Sequence, residues 1–309
     1  MKDAEKIKSL EIQGATNVAV NAINFMSTYA KRLKCQDVSR CLSHLYEARD
    51  ILIATRPTEP AMQNGLKYIL NKLEKNQDAI KVNDIPAFIE KYKNDYKKKL
   101  KDSKKKIAEI GARRIPDIET NEKFVVMTHC HSSVVTQILL EAKKQGKDNF
   151  IVINTETQPR LQGRKTANKI LDAGIEVKHV VDSAMRWVVN HFEVDLILIG
   201  ADSITSEGTV LNKIGSRLLA LVAHEEHVPF YVASPLLKYN PKTNFGILEK
   251  IEMRDPEEIW DKQHENLTIL NPAFETVSRR YIDGLITEAG IFASSHVHYY
   301  FSKLYPDMV

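Results

Sequence analysis

Cysteine is scarce in this chain of 309 residues: Cys35, Cys41 and Cys130 are the whole set. An odd and sparse set argues against a disulfide framework and fits a reducing cytosol, so a cytoplasmic location is expected. No run of about 18 uncharged apolar residues occurs, which excludes a transmembrane helix. The opening MKDAEKIKSLE has no apolar centre, so no signal peptide is expected. A GxGxxG turn and a Walker phosphate loop are both missing, which argues against dinucleotide and P-loop nucleotide sites. His129, Cys130 and His131 are adjacent, but no second Cys/His pair stands at zinc-ligand spacing, so neither a metal nor a cofactor is expected. There are no internal repeats and no low-complexity tracts.

What is present is ordinary globular composition, 43% hydrophobic and 27% charged, with a net charge of +4. The charge is unevenly spread. Lys91 to Arg114 holds 11 Lys and Arg against 3 Asp and Glu, a local net of +8 that leaves −4 for the rest. Such a run can mark a nucleic-acid surface. Here Tyr92, Tyr96, Leu100, Ile107 and Ile110 keep helical spacing, and no aromatics interleave with the later lysines. A solvated helix with one apolar stripe is the better reading, and nucleic acid is not expected as a partner.

Residues 1 to about 115 read as helices. Gly14 and Thr16 precede NVAVNAINFMSTYAKRL, with Thr16 as the expected cap. Further helices are expected around 38–54, 61–75 and 85–92 and onward through the lysine stripe. Arg56 stands in the turn Thr55-Arg56-Pro57-Thr58-Glu59-Pro60, where it either caps a helix end or is aimed at an anion. After Pro116 the period changes. Strand-like runs at 124–128, 150–154, 177–181, 196–199, 230–233 and 284–287 alternate with helical patterns at 134–145, 163–173, 183–191 and 212–224. That alternation predicts parallel βαβ units, hence an α/β fold with a helical domain over 1–117 and a sheet domain over 118–309.

The residues just past each strand should crowd one rim, where open α/β sheets bind ligands. FVVMTHCHSS (124–133) is the central case: a buried strand, a polar turn and a helix start. Cys130 would lie near that helix N-terminus, whose dipole favours a thiolate if the thiol is exposed. LILIGADS (196–203) delivers Asp202 the same way. A thiol facing a carboxyl can shuttle a proton, which aldose–ketose isomerisation needs and which takes no cofactor. A hydrolase triad with His129 or His131 as base has nothing in its favour in the spacing. Asn212-Lys213, read as the start of a helix, suits a phosphate.

ETQPRLQGRKTA (156–167), VVDSAMRW (180–187), GADSI (200–204), NKIG (212–215) and PFYVASPLLKYNP (229–241) together resemble the superfamily of sugar-phosphate isomerases and translation initiation factor 2B alpha, beta and delta subunits. The resemblance runs over nearly the whole chain and implies a helical N-terminal domain followed by a Rossmann-like parallel sheet flanked by helices. MTHCHS, GADSI, IEMRDP (251–256) and NPAF (271–274) look most like the archaeal ribose-1,5-bisphosphate isomerases. That likeness implies conversion of ribose 1,5-bisphosphate to ribulose 1,5-bisphosphate in AMP degradation, with Cys130 taking the proton and Asp202 as its acid partner. It places Gln13, Gly14, Ala15, Thr16, Arg56, Ser132, Asn212, Lys213 and Lys238 around the phosphorylated sugar. It also implies a homodimer or homohexamer and leaves room for a nucleotide effector. The methylthioribose-1-phosphate isomerases share the Cys and Asp, but with an Asn-Thr-Gly turn where this chain has His131-Ser132-Ser133. A regulatory subunit that binds initiation factor 2 is the third reading. Gln13 and Gln158, each where the isomerase pattern has Arg, favour it; the joint presence of Cys130 and Asp202 favours an isomerase.

Overall fold

A computed structural model describes residues 2–9, 11–12, 14–118, 122–247 and 251–308. The first part is helical: α1 (Lys2–Lys8), α2 (Ala15–Ala30), α3 (Val38–Thr55), α4 (Pro60–Glu74) and α5 (Ile85–Ala112). Pro60 and Pro86 sit at the first positions of their helices, where the missing N–H costs nothing. In α5 the apolar stripe is buried at Tyr96, Leu100 and Ile107, as its spacing predicts. Tyr96 also donates its hydroxyl to the Ala61 carbonyl at 2.5 Å, tying α5 to α4.

The main sheet follows: β1 (Phe124–Thr128), β2 (Phe150–Thr155), β3 (Glu176–Val180), β4 (Leu196–Ile199), then, past a small hairpin of β5 (Ser203–Ile204) and β6 (Val210–Lys213), β7 (Phe230–Ala233) and, after β8 (Phe274–Val277), β9 (Gly284–Thr287) and β10 (Gly290–Phe292). The strand order is β10-β9-β7-β4-β1-β2-β3, parallel except for the antiparallel edge strand β10. Helices α6 (Ser133–Lys144), α7 (Gly163–Leu171), α8 (Met185–His191) and α9 (Ser216–Glu225) connect the strands, and α10 (Val297–Leu304) follows β10. The central strands β1, β2 and β4 are almost wholly apolar and buried, which is what a sheet covered on both faces requires. From β1 the chain winds one way to β2 and β3, then returns to the other side of β1 with β4. The β1/β4 gap is therefore the topological switch point, where the carboxyl ends of the strands leave a crevice.

Four expectations change. Cys35 and Cys41 are joined as a disulfide, leaving Cys130 as the free cysteine. Cys35 lies just before the α3 cap Asp37 and Cys41 in its first turn, so their Cα atoms stand 5.5 Å apart, within bridging range. Counting cysteines could not reveal that proximity. Asn212 and Lys213 do not open a helix: they end β6, which joins β5 and β8 in an antiparallel sheet, and α9 begins only at Ser216. Gly215, at φ +100°, makes the left-handed bend between them. The cap of α2 is Gly14 rather than Thr16, which lies in the first turn. Finally, not all lysines of α5 face solvent, because Lys104 points into the cavity described next. Among the described residues no helix is long and apolar enough to cross a membrane.

Candidate active site

A cavity of about 420 Å³ opens at the switch point. Cys130 enters it from the turn after β1 and Asp202 from the turn after β4. The helical layer closes it with Gly14, Ala15 and Thr16 at the start of α2, and with Arg56 and Glu59 from the turn before α4. Ser132, Asn212, Lys213 and Lys238 complete the set expected from sequence, so residues far apart in the chain line one cavity. Gln13 lies outside the described residues.

Cys130 adopts φ +67°, a left-handed conformation uncommon for a residue with a side chain. The turn is held from three sides. The Thr166 hydroxyl donates to the Cys130 carbonyl at 3.0 Å. Ser132 caps α6, its Oγ accepting from the Val135 N–H at 3.3 Å. Gly200 packs so closely that a Cβ there would lie 2.6 Å from Ser132 Oγ. The helix end does not dominate the thiol. Burial pushes Cys130 up to about 11, while Lys213 pulls the other way. The depressed thiol expected for an exposed position is thus corrected: Cys130 is half-buried, and α6 begins three residues later.

Both neighbouring histidines are neutral struts. His129 is buried and donates Nε2–H to the Ile214 carbonyl at 2.7 Å, which leaves Nδ1 to accept from the Thr155 hydroxyl at 2.6 Å. Burial lowers its pKa in spite of the Ile214 bond and Asp182. His131 donates Nδ1–H to Thr166 Oγ1 at 2.9 Å, since that hydroxyl is itself donating to Cys130. Burial, then Lys169, Lys165 and Lys104, push His131 down to about 4.

Glu59 is the residue that sequence reasoning missed. Its carboxyl is 2% exposed, accepts from Arg56 at 3.1 Å through Oε1, and among the described residues leaves Oε2 without a partner. Burial pushes it up to about 8, with Asp202 adding to the shift and Arg56 and Lys238 opposing it. Arg56 also faces Glu252 at 3.4 Å, and its buried Nε has no partner among the described residues, a donor left over for an anion. The signal was the i, i+3 spacing of Arg56 and Glu59 across Pro57, which places both on one turn. Lys238 bonds the carbonyl of Ala201, next to Asp202. Its loop is fixed by Asn64, which donates to the carbonyls of Leu237 and Tyr239 at 2.9 and 2.8 Å, and by the buried Glu288, which accepts from the Leu236 N–H at 3.0 Å.

The family model described as the initiation factor 2 subunit family matches residues 11–294. The chain belongs to that family. The chain is 38% identical to a ribose 1,5-bisphosphate isomerase of Pyrococcus furiosus, over 93% of this chain and 88% of that one. Two solved structures from Pyrococcus horikoshii OT3 share its architecture at a TM-score of 0.78. A translation initiation factor eIF-2B is 28% identical, covering 94% of this chain and 96% of its own. A 5-methylthioribose 1-phosphate isomerase is 25% identical, covering 98% of this chain and 87% of its own. The proteins this chain is similar to therefore include isomerases and a translation factor. The cavity bears on the choice: it carries a thiol, a carboxylate and seven cationic side chains. Among the described residues no group of three His, Cys, Asp or Glu is placed to hold a metal.

Proposed function

We propose that this chain is an isomerase that converts ribose 1,5-bisphosphate to ribulose 1,5-bisphosphate, with the helical domain over 1–117 closing the site of a catalytic domain over 118–309. The observation that carries this reading is the placement of Cys130 and Asp202 on adjacent strand ends at the switch point, facing one cation-lined cavity. The 38% identity to a ribose 1,5-bisphosphate isomerase supports it. The chemistry balances without a cofactor. Cys130, as thiolate, takes the proton from C2, and the C–H electrons form a C1–C2 double bond. The bond from C1 to the ring oxygen breaks, and that oxygen takes a proton from Asp202. Cys130 then returns its proton to C1 while the C2 hydroxyl gives its proton back to Asp202, leaving the ketone. In this step Lys213 favours the Cys130 thiolate against the burial that holds the thiol up to about 11.

The test is turnover of ribose 1,5-bisphosphate by wild type, Cys130→Ser and Asp202→Asn. A general acid or base contributes about 10²–10⁴-fold, so each variant should lose at least that much while still binding bisphosphate. The double variant should be little worse than either single one, because both act on one proton path. Wild-type turnover in Cys130→Ser would sink the reading. A regulatory subunit would instead bind initiation factor 2 with neither change mattering. We also propose a homodimer or larger homo-oligomer. Phe245, Trp260 and Leu270, at 84%, 51% and 68% exposure along one segment, support it, and light scattering tests it.

A further inference from the structure

Glu59 has no part in the chemistry above, yet it lines the cavity and is 2% exposed. It stands at the cap position of α4, but its side chain makes no capping bond, so helix capping does not account for it. Among the described residues its one ion pair is with Arg56, through Oε1 at 3.1 Å. A carboxylate and a guanidinium frequently meet as a fork, two oxygens against two nitrogens. Here Glu59 Oε2 and Arg56 Nε are both buried and, among the described residues, both without a partner. The pair is a single contact and not a closed fork.

Arg56 has a second carboxylate, Glu252, at 3.4 Å. The two differ in what else holds them. Glu252 also pairs with Arg254 at 3.1 Å, Arg254 with Glu258 at 3.4 Å, and Glu258 with Arg160 at 2.6 Å. That ladder ties Glu252 into its own segment, whereas Glu59 touches no second cation among the described residues. The charged groups that face Glu59 are Asp202 from the turn after β4, Arg56 from its own turn, Lys238 from the loop after β7 and Glu252 from the segment before β8. Two carboxylates thus oppose two cations, and burial decides: it pushes Glu59 up to about 8. With its proton, Glu59 adds no charge, and Arg56 is left to Glu252 and a ligand. Without it, Glu59 is a second carboxylate on the same guanidinium, and an arriving anion meets its repulsion.

We propose that Glu59 sets whether Arg56 can hold an anion: the phosphate of the sugar substrate binds at Arg56 together with a proton on Glu59, and the carboxylate form of Glu59 excludes it. The proton comes from solvent, and only the carboxyl O–H bond forms. This deepens the isomerase reading and rests on its placing the phosphorylated sugar in this cavity. About half of the empty sites carry the proton at pH 8, so binding should take up about half a proton there and almost none at pH 6. Apparent affinity scales with the competent fraction, which falls about tenfold from pH 7 to pH 9.

Titration calorimetry in HEPES and in Tris, whose ionisation heats differ, counts the proton at pH 8. The ligands are ribulose 1,5-bisphosphate and sodium sulfate, a dianion with no proton of its own to exchange at that pH. Wild type is compared with Glu59→Gln, which keeps the shape of the protonated carboxyl, and with Glu59→Ala, which forfeits no capping bond. Lys104 titrates in the same range, pushed down to about 8 by burial, then Lys238 and Lys169, but its share persists in both variants and cancels in the difference. Wild type should take up about half a proton more than either variant with each ligand, and should lose about tenfold more affinity between pH 7 and pH 9. A merely structural Glu59 would leave the proton count and the pH profile of the variants equal to those of wild type, and that result overturns the proposal. So does a wild type that binds neither anion at pH 6. Failure of the isomerase reading looks different: wild type would not turn over ribose 1,5-bisphosphate, while the sulfate titration would still show the proton.

Discussion

Gly200→Ala is a perturbation whose size follows from the geometry. Gly200 does not occupy a left-handed conformation, so alanine is not excluded by the backbone. The new Cβ would meet Ser132 Oγ at 2.6 Å and Ser132 Cβ at 2.8 Å, where ordinary contact begins at 3.4 Å. Rotating the serine relieves only the first contact and removes the α6 cap, a loss of about 0.5–2 kcal/mol. The second is relieved only if the turn from Cys130 to Ser133 moves away from β4 by roughly 0.6 Å, the difference between those two distances. Cys130 would move with it, away from Asp202. A misplacement of about 1 Å can cost about 10²-fold in rate, so a loss of roughly ten- to a hundredfold in kcat is expected, with folding cooperative and stability lowered by no more than about 2 kcal/mol. The assay is turnover of ribose 1,5-bisphosphate alongside urea denaturation. Ser132→Gly/Gly200→Ala removes both colliding atoms and should match Ser132→Gly alone. Gly200→Ala with wild-type kcat would show that the turn carrying Cys130 is not held in place by this contact, and the reasoning would fail.

Other expectations follow from the ionisation of buried groups. Glu59 binds its proton more tightly folded (about 8) than unfolded (about 4.5), so its share of stability is complete below about pH 4.5 and is lost as pH rises toward 8. Urea midpoints at pH 5, 6.5 and 8 should fall more steeply for wild type than for Glu59→Gln, and parallel curves would refute a buried protonated carboxyl. Because burial holds Cys130 up to about 11, its alkylation by iodoacetamide should accelerate about tenfold per pH unit from 7 to 10. A plateau by pH 9 would mean that the helix end and Lys213 outweigh burial.

Much of the fold was legible because it rests on periodicity, a local property of the chain. The apolar runs at 124–128, 150–154, 196–199, 230–233 and 284–287 coincide with β1, β2, β4, β7 and β9 to within a residue. The shift from helices to βαβ units stands between Ala112 and Phe124. Cys130 and Asp202 were readable for the same reason: a polar residue straight after a buried strand has to appear at the sheet's rim. Local patterns marked Arg56 and Asn212-Lys213 singly, but only the family likeness put them and Lys238 in one site.

What the sequence could not determine depends on distances between segments. The cysteine pair looked too sparse to matter, yet the start of α3 brings Cys35 and Cys41 together. Asn212 and Lys213 have no local marker of a strand; pairing with β8, more than 60 residues later, makes them one. Glu59 reads as an ordinary acid beside two prolines, and only burial against Arg56 and Asp202 makes it a carboxyl that keeps its proton. Lys104 reads as part of a solvated helix face, because hydropathy cannot tell water from a cavity. The sequence by itself determined the elements and the reactive residue types. The tertiary structure decided which of them meet, because burial and the electrostatic field at a site are sums over neighbours from the whole chain.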